Sequence, residues 1–243
     1  MYLYKNKTFI ESFKKPQLNI IAGRPAMGKT MLALYISHEM IKERKTITFF
    51  TLELSSIQLE KRMFDLFIDI RMISELPEKI KRVHLNECTD QYFLEIHDIK
   101  RKILLDELER KIADCVLQNN SQIIIIDYVQ LLIRSFDQDS KLDINVLLDK
   151  LRFLTKMYHI TIILLSQLDR KADIRKHPKF NDLLDLKRII NFNSDRVYLI
   201  NRPERYGLIL GEFGEDFREI MEVFVYDTPQ KYIKFHLNIK YWK

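Results

Sequence analysis

The sequence predicts an α/β fold: a mainly parallel, twisted sheet flanked by helices, with an antiparallel hairpin extending it at the C-terminal end. Three observations predict it. Residues 122–127, Gln-Ile-Ile-Ile-Ile-Asp, form an unbroken aliphatic run of strand length, as a strand buried on both faces of a parallel sheet requires. Runs of this kind alternate with segments of helical period, the pattern of successive βαβ units. Residues 23–30, Gly-Arg-Pro-Ala-Met-Gly-Lys-Thr, satisfy G-x-x-x-x-G-K-[ST] between a strand and a helix.

In chain order, the first 18 residues mix aromatic and basic positions, end near Pro16, and read as a short strand or an arm on the surface. Residues 19–243 then read as one domain, a size that supports one sizeable core. Ile20 and Ile21 end a buried strand, the Gly-rich loop follows, and residues 31–40 have helical character. Residues 46–52, rich in Thr and Phe, are a second strand ending at Glu53. Ser55 or Ser56 is placed to cap a helix over residues 58–70, where Leu59, Met63, Leu66, Phe67 and Ile70 recur at helical spacing. Residues 82–85 read as a short strand, and Pro77 argues against one continuous helix before it. A helix is expected over 99–117, the aliphatic strand over 122–127, a polar loop over 134–141, a helix over 143–158 and another aliphatic strand over 160–165. The tail reads as a strand at 196–201, a charged connection, and two strands at 219–226 and 231–238 joined around Pro229, with Trp242 placed to cap them.

Composition bounds the function classes. A hydrophobic share of 47% and a charged share of 30% belong to a globular chain. Apolar runs are too short to span a bilayer, and no export signal opens the chain, so a cytoplasmic setting is expected. Cys88 and Cys115 have no metal-ligand spacing and read as small buried or half-buried side chains. The net charge of +6 leaves a polyanionic partner unopposed.

The loop at 23–30 points to polyphosphate. A helix N-terminus and a coil of backbone N–H groups hold phosphates only where the backbone wraps closely, which Gly23 and Gly28 permit through Arg24, Pro25, Ala26 and Met27. Lys29 reaches the terminal phosphates and Thr30 offers a hydroxyl to Mg2+. The cofactors expected are therefore ATP and Mg2+. Asp127, closing the four isoleucines, fits the carboxylate that holds the metal together with Thr30. Glu53 is a candidate to polarise the attacking water and Gln167 to sense the terminal phosphate. Read alone, Glu53 is equally a solvated turn residue, and Gln167 is a weaker signal still. Because ligands of parallel sheets sit outside the carboxyl ends of the strands, all four stretches are predicted to converge. Residues 169–188 carry seven Lys or Arg against four Asp, a net of +3. Arg170, Lys171, Arg175, Lys176 and Lys179 are the candidates for single-stranded DNA phosphates, with a solvated loop the equal alternative. Tyr206, Phe213 and Phe217 read as packing residues.

Four ordered stretches together resemble a family. The phosphate loop, then Phe-Phe-Thr-Leu-Glu-Leu-Ser, then Ile-Ile-Asp-Tyr-Val-Gln-Leu-Leu, then Leu-Leu-Ser-Gln-Leu-Asp-Arg are similar to the successive motifs of the RecA-like ATPase domain of DnaB-type replicative helicases. The resemblance implies a RecA-like P-loop NTPase, a ring-forming ATPase moving on single-stranded DNA during replication. It assigns Lys29 and Thr30 to phosphate and magnesium, Glu53 to the general base, Asp127 to the metal and Gln167 to coupling. The chain departs from the family at three places. It begins almost at the ATPase core, without the family's N-terminal helical domain and linker helix. Residues 181–187 lack the Arg, Glu and Gly of the family's Ser-Asp-Leu-Arg-Glu-Ser-Gly stretch. Alignment on Pro229 puts Phe224 and Tyr226 at the two basic positions of the family's C-terminal hairpin. Ring assembly is therefore expected to need elements from a partner protein, or Lys231 or Lys234 in place of the arginine finger. The other function these departures allow is a helicase-derived nucleotide-binding regulatory module with slow hydrolysis and no unwinding.

Overall fold

The computed structural model of the chain describes residues 8–67, 94–99, 103–135, 144–171, 176–183, 186, 190–192, 195–211 and 216–240. Its frame is β1 (Leu18–Gly23), α1 (Lys29–Lys42), β2 (Ile47–Thr51), α2 (Ser56–Phe67), β3 (Leu94–Asp98), α3 (Leu105–Asn119), β4 (Ile123–Asp127), α4 (Val129–Ser135), α5 (Ile144–Met157), β5 (Thr161–Gln167), β6 (Asp195–Asn201), β7 (Ile220–Thr228) and β8 (Lys231–Asn238). The strands form one eight-stranded sheet in the order β3-β2-β4-β5-β1-β6-β7-β8. Strands β1 to β6 are parallel, and β7 and β8 add antiparallel at one side.

The isoleucine run explains the two layers. Side chains alternate faces along a strand. Ile124 and Ile126 enter one core with Leu108, Ile112, Leu132, Leu147 and Leu151 from α3, α4 and α5. Ile123 and Ile125 enter the other with Leu32, Ile36 and Met40 of α1 and Leu59 of α2. A strand covered on both sides has no polar face to show, so its sequence does not alternate.

Local signals set the boundaries. Ser55 and Gln58 form a capping box that starts α2: the Gln58 N–H donates to Ser55 Oγ at 3.3 Å and the Ser55 N–H to Gln58 Oε1 at 3.0 Å. Asn120 ends α3 in the left-handed conformation, φ 53°, which Asn tolerates better than most residues. Arg152 of α5 grips the fully buried Asp195 carboxylate with two hydrogen bonds, 3.0 and 2.7 Å, fixing the start of β6.

Several expectations need correction. Strand β3 lies where no strand was expected, because Leu-Glu-Ile-His-Asp is a half-buried edge strand whose polar residues break the aliphatic pattern. The helix expected from residue 99 starts at Leu105; Ile99 and Ile103 are buried without being helical. Strand β5 runs through Ser166 and Gln167, and a short helix, α4, precedes the expected polar loop. The strand at 82–85, Cys88, Phe213 and Trp242 lie outside the described residues.

Residues 8–13 are packed into the core rather than lying as an arm on the surface. Residues 8–11 make a helical turn, and Phe9, Ile10 and Phe13 are buried, Phe13 stacked on Tyr198 of β6 with centroids 4.5 Å apart. The Tyr198 hydroxyl shares a hydrogen bond with Ser12 at 2.8 Å. Phe13→Ala should therefore lower unfolding free energy by about 3–5 kcal/mol, the cost of a large core deletion. In urea titration, a change within about 0.5 kcal/mol, as for a solvated arm, would contradict this packing.

Candidate nucleotide-binding site

Parallel register assembles the site. Gly23, the last residue of β1, pairs with Gln167, the last of β5, and Thr51 of β2 pairs with Asp127, the last of β4. The phosphate loop, the turn holding Glu53, Asp127 and Gln167 thus leave the same edge of the sheet. Beside them is a cavity of about 600 Å³ whose walls include Lys29, Thr30, Glu53 and Gln167, with Asp127 buried behind Thr30 rather than on the wall.

Gly28 is the N-cap of α1 with φ 92°, a conformation that disfavours any side chain, and no side chain caps the helix there. The first-turn N–H groups of α1 thus face the cavity formed with Pro25 and Ala26, an anion-binding arrangement. Gly23 is needed for a different reason: a Cβ there would lie 2.5 Å from Ile200 Cγ1 on the neighbouring β6. The Lys29 ammonium donates to the carbonyls of Gly23 (3.1 Å) and Arg24 (3.3 Å). Burial pushes its pKa below the usual lysine value, against the pull of Asp127 and Glu53. Arg24 donates to the Leu168 carbonyl at 3.0 Å, tying the loop to the end of β5.

Thr30 Oγ1 donates to Asp127 Oδ2 at 2.7 Å. Asp127 is almost fully buried and its other oxygen, Oδ1, has no hydrogen-bond partner. Burial pushes its carboxyl up to about 6, with Glu53 adding to the rise and the Thr30 hydrogen bond and Lys29 opposing it. A buried carboxylate with one orphaned oxygen, next to a hydroxyl, is a ligand set that fits a hard divalent cation such as Mg2+.

Strand ends shape the other walls. Thr51 Oγ1 donates to the Leu54 carbonyl at 2.6 Å and accepts the Leu54 N–H at 3.2 Å, closing the turn that carries Glu53. Asp98 at the end of β3 accepts the Ser56 N–H at 2.6 Å. Gln130 of α4 clamps β5, donating to Ser166 Oγ (3.0 Å) and the Gln167 carbonyl (3.3 Å) and accepting the Gln167 N–H at 3.1 Å. Gln130 went unnoticed in the sequence, as did Arg62, Arg202, Arg205 and Glu219 on the cavity wall. The one available signal for Arg202 and Arg205 was their position just beyond the last residue of β6.

The basic segment is elsewhere. Arg170, Lys171, Lys176 and Lys179 are exposed and none lines the cavity; Arg175 lies outside the described residues. Asn201 Nδ2 holds the Lys176 carbonyl at 3.3 Å. At the hairpin, Phe224 and Tyr226 are buried, and Lys234 is ion-paired to Glu222 at 2.5 Å, while Lys231 is exposed at the turn.

A family model described as "DnaB-like helicase C terminal domain" matches residues 4–226. The chain belongs to that family. Among curated relatives of this DnaB-like domain, a probable replicative DNA helicase of Trieres chinensis is 28% identical over 222 residues, 84% of this chain and 47% of that protein. A probable plasmid replicative DNA helicase of Chlamydia muridarum is 31% identical over 204 residues, 76% and 43% of the two chains. The DnaB-like chain spans less than half the length of these relatives. In fold it is similar to a solved ATPase domain, with TM-score 0.69 and 21% identity over 94% of this chain and 84% of that one. A DnaB-like replicative helicase solved for its interactions with primase gives TM-score 0.67 and 20% identity over 93% and 55%. The RecA-like fold expected from the motifs is the fold of this DnaB-like domain.

The close approach of the loop to β6 is testable. Gly23→Ala should cost about 1–3 kcal/mol through overpacking against Ile200. Ile200→Ala should cost less in that background than in the parent, with a coupling of at least about 0.5 kcal/mol by denaturation of both single variants and the double. Strict additivity would show that the two positions do not meet.

Proposed function

We propose that this DnaB-like domain binds ATP with Mg2+, hydrolyses it, and uses the cycle to act on single-stranded DNA as a helicase-type motor. The observation that carries the reading is the 2.7 Å contact of Thr30 with Asp127, whose second oxygen is unpaired, at the mouth of the phosphate loop. In this reading the loop from Gly23 to Thr30 cradles the phosphates, with Arg24, Pro25, Ala26, Met27 and Gly28 supplying backbone. Lys29 exchanges its two carbonyl partners for phosphate oxygens, and Thr30 and Asp127 hold the metal. Mg2+ when bound neutralises charge on the β- and γ-phosphate oxygens. Glu53, on the cavity wall, accepts a proton from the attacking water. Gln167 lines the same cavity, and its backbone is fixed by Gln130.

Two observations support DNA as the polymer. Exposed Arg170 and Lys171 follow Gln167 by a few residues, so a change at the cavity reaches a basic surface through a short path. Charge of this kind holds nucleic-acid phosphates without sequence preference. Relatives of this domain are named as replicative or probable replicative DNA helicases. Assembly with further copies, as a ring, belongs to the same reading. Basic residues on the cavity wall are Lys29, Arg62, Arg202 and Arg205 of the chain itself, Arg202 being paired with Glu204, whereas Lys234 does not line the cavity and is engaged by Glu222.

ATP turnover with and without single-stranded DNA at low salt tests this. Glu53→Gln should lower kcat by about 10²–10⁴-fold while nucleotide still binds, the usual span for a general base. Lys29→Ala should abolish turnover and weaken nucleotide binding. DNA should stimulate the parent, and Arg170→Glu with Lys171→Glu should reduce that stimulation. Turnover that is indifferent to DNA would sink the motor reading and leave an ATPase of another kind.

A further inference from the structure

Away from the nucleotide cavity, β3 and α3 bring three different ligand types together. Glu95 and His97 are two residues apart on the edge strand and so share a face, and Cys115 comes from the last turns of α3. Their ligand atoms all lie within 4.8 Å of one another. His97 Nε2 is 2.8 Å from Glu95 Oε1 and 3.7 Å from Cys115 Sγ. We propose that Glu95, His97 and Cys115 form a site for a borderline-soft divalent cation, Zn2+ or a close chemical equivalent, with the fourth position open to water.

Geometry and chemistry both favour a cation. In a tetrahedral site with Zn–N near 2.0 Å and Zn–S near 2.3 Å, the nitrogen and sulfur stand about 3.5 Å apart, close to the separation seen. The nitrogen and carboxylate oxygen would stand about 3.4 Å apart, so the two must open by about half an ångström, within reach of one Glu rotamer adjustment. Thiolate, imidazole and carboxylate together select zinc-like ions over Mg2+ and Ca2+, which prefer oxygen alone. The carboxylate is already oriented: its other oxygen, Oε2, accepts from Asn119 Nδ2 at 2.7 Å and from Thr48 Oγ1 at 3.5 Å. Outer partners of this kind hold metal ligands in place. A small cavity of about 100 Å³ opens beside His97, with room for water. Sequence spacing hid the site because Cys115 is 18 residues from His97 and meets it only when α3 packs back on β3.

Binding exchanges the thiol proton for the metal, and the His97 proton held between Nε2 and Glu95 passes to Nδ1 so that Nε2 is free to ligate. Its structural effect is to fasten the edge strand to α3. Because the next residue, Asp98, accepts the Ser56 N–H at the start of α2, the site steadies the strand that caps a helix carrying Arg62 to the nucleotide cavity.

Cobalt reports the site. The purified chain, stripped with chelator and titrated with Co2+, should take up one equivalent with the intense visible absorption of a four-coordinate ion and a near-ultraviolet thiolate charge-transfer band, and Zn2+ should bleach both. Cys115→Ser should lose the charge-transfer band, and Cys88→Ser, which keeps Cys115 as the remaining thiol, should retain it. Asn119→Ala should weaken Co2+ binding by about 10–100-fold, the usual effect of losing an outer partner. If Cys115→Ser fails to fold by circular dichroism, His97→Asn serves in its place and should weaken binding by at least about tenfold. Co2+ at Thr30 and Asp127 would be bound by oxygen alone and show no thiolate band, so the two sites are distinguishable. The proposal fails if no thiolate band forms, if the band persists in Cys115→Ser, if it vanishes in Cys88→Ser, or if the His97 and Asn119 variants bind as the parent does.

Discussion

Parallel pairing of β1, β2, β4 and β5 is the constraint on which the rest of the molecule depends. Each parallel pair is fixed in register by side chains packed on both faces, and a one-residue slip would send Ile123 to Asp127 into the wrong cores. That same register places Gly23 opposite Gln167 and Thr51 opposite Asp127. The polar groups of the site therefore owe their proximity to apolar packing several residues away. Gly23 shows how tight the arrangement is, since the Ile200 side chain occupies the space its Cβ would need.

Burial then sets the chemistry at that edge. Asp127 and Lys29 are both withdrawn from water, and burial shifts each toward its neutral form. Neither shift would persist against a strong partner of opposite charge: a cation beside Asp127 or a polyphosphate beside Lys29 restores the ionised form. The site is thus built of charges whose desolvation is offset only when a charged ligand arrives, the condition for strong electrostatic recognition in a dry setting. The Lys29 hydrogen bonds to Gly23 and Arg24 and the Thr30 bond to Asp127 satisfy these groups in the meantime, while Asp127 Oδ1 stays without a partner.

What was legible in the sequence follows from how each element is stabilised. Strands β1, β4 and β5 are covered on both faces, so their identity is written in consecutive aliphatic residues, and the phosphate loop is fixed by local backbone demands at Gly28. Strand β3 was hidden because an edge strand needs no apolar run, and it carries Glu95, His97 and Asp98 among its five residues. The wall formed by Arg62, Arg202 and Arg205 was hidden for another reason. No local pattern distinguishes an arginine that turns toward a cavity from one that turns toward water; only the packing of α2 and the turn after β6 decides it. Residues 8–13 were misjudged because Phe9, Ile10 and Phe13, although at helical spacing, make only one turn, too short a stretch to establish a period; Phe9 and Phe13 between them cover Tyr198.

The hairpin shows how the same fold redistributes charge. On β7, Phe224 stands opposite Lys234 of β8, whose ammonium lies 5.4 Å from the Phe224 ring centroid and pairs with the buried Glu222. Asn201 of β6 holds the second Glu222 oxygen at 2.9 Å. A lysine in that position helps to neutralise a buried carboxylate, and withdrawing it would leave that charge to His236 and Asn201. Lys234 is therefore bound to a structural task by the residue beneath it. Arg62, Arg202 and Arg205 line the cavity instead, within the same chain as the phosphate loop, with Arg202 paired to Glu204 and with Glu53 and Glu219 on the same wall. In this chain the arginines of the nucleotide cavity come from α2 and the turn after β6, whereas the hairpin extends the sheet and keeps its lysine for Glu222.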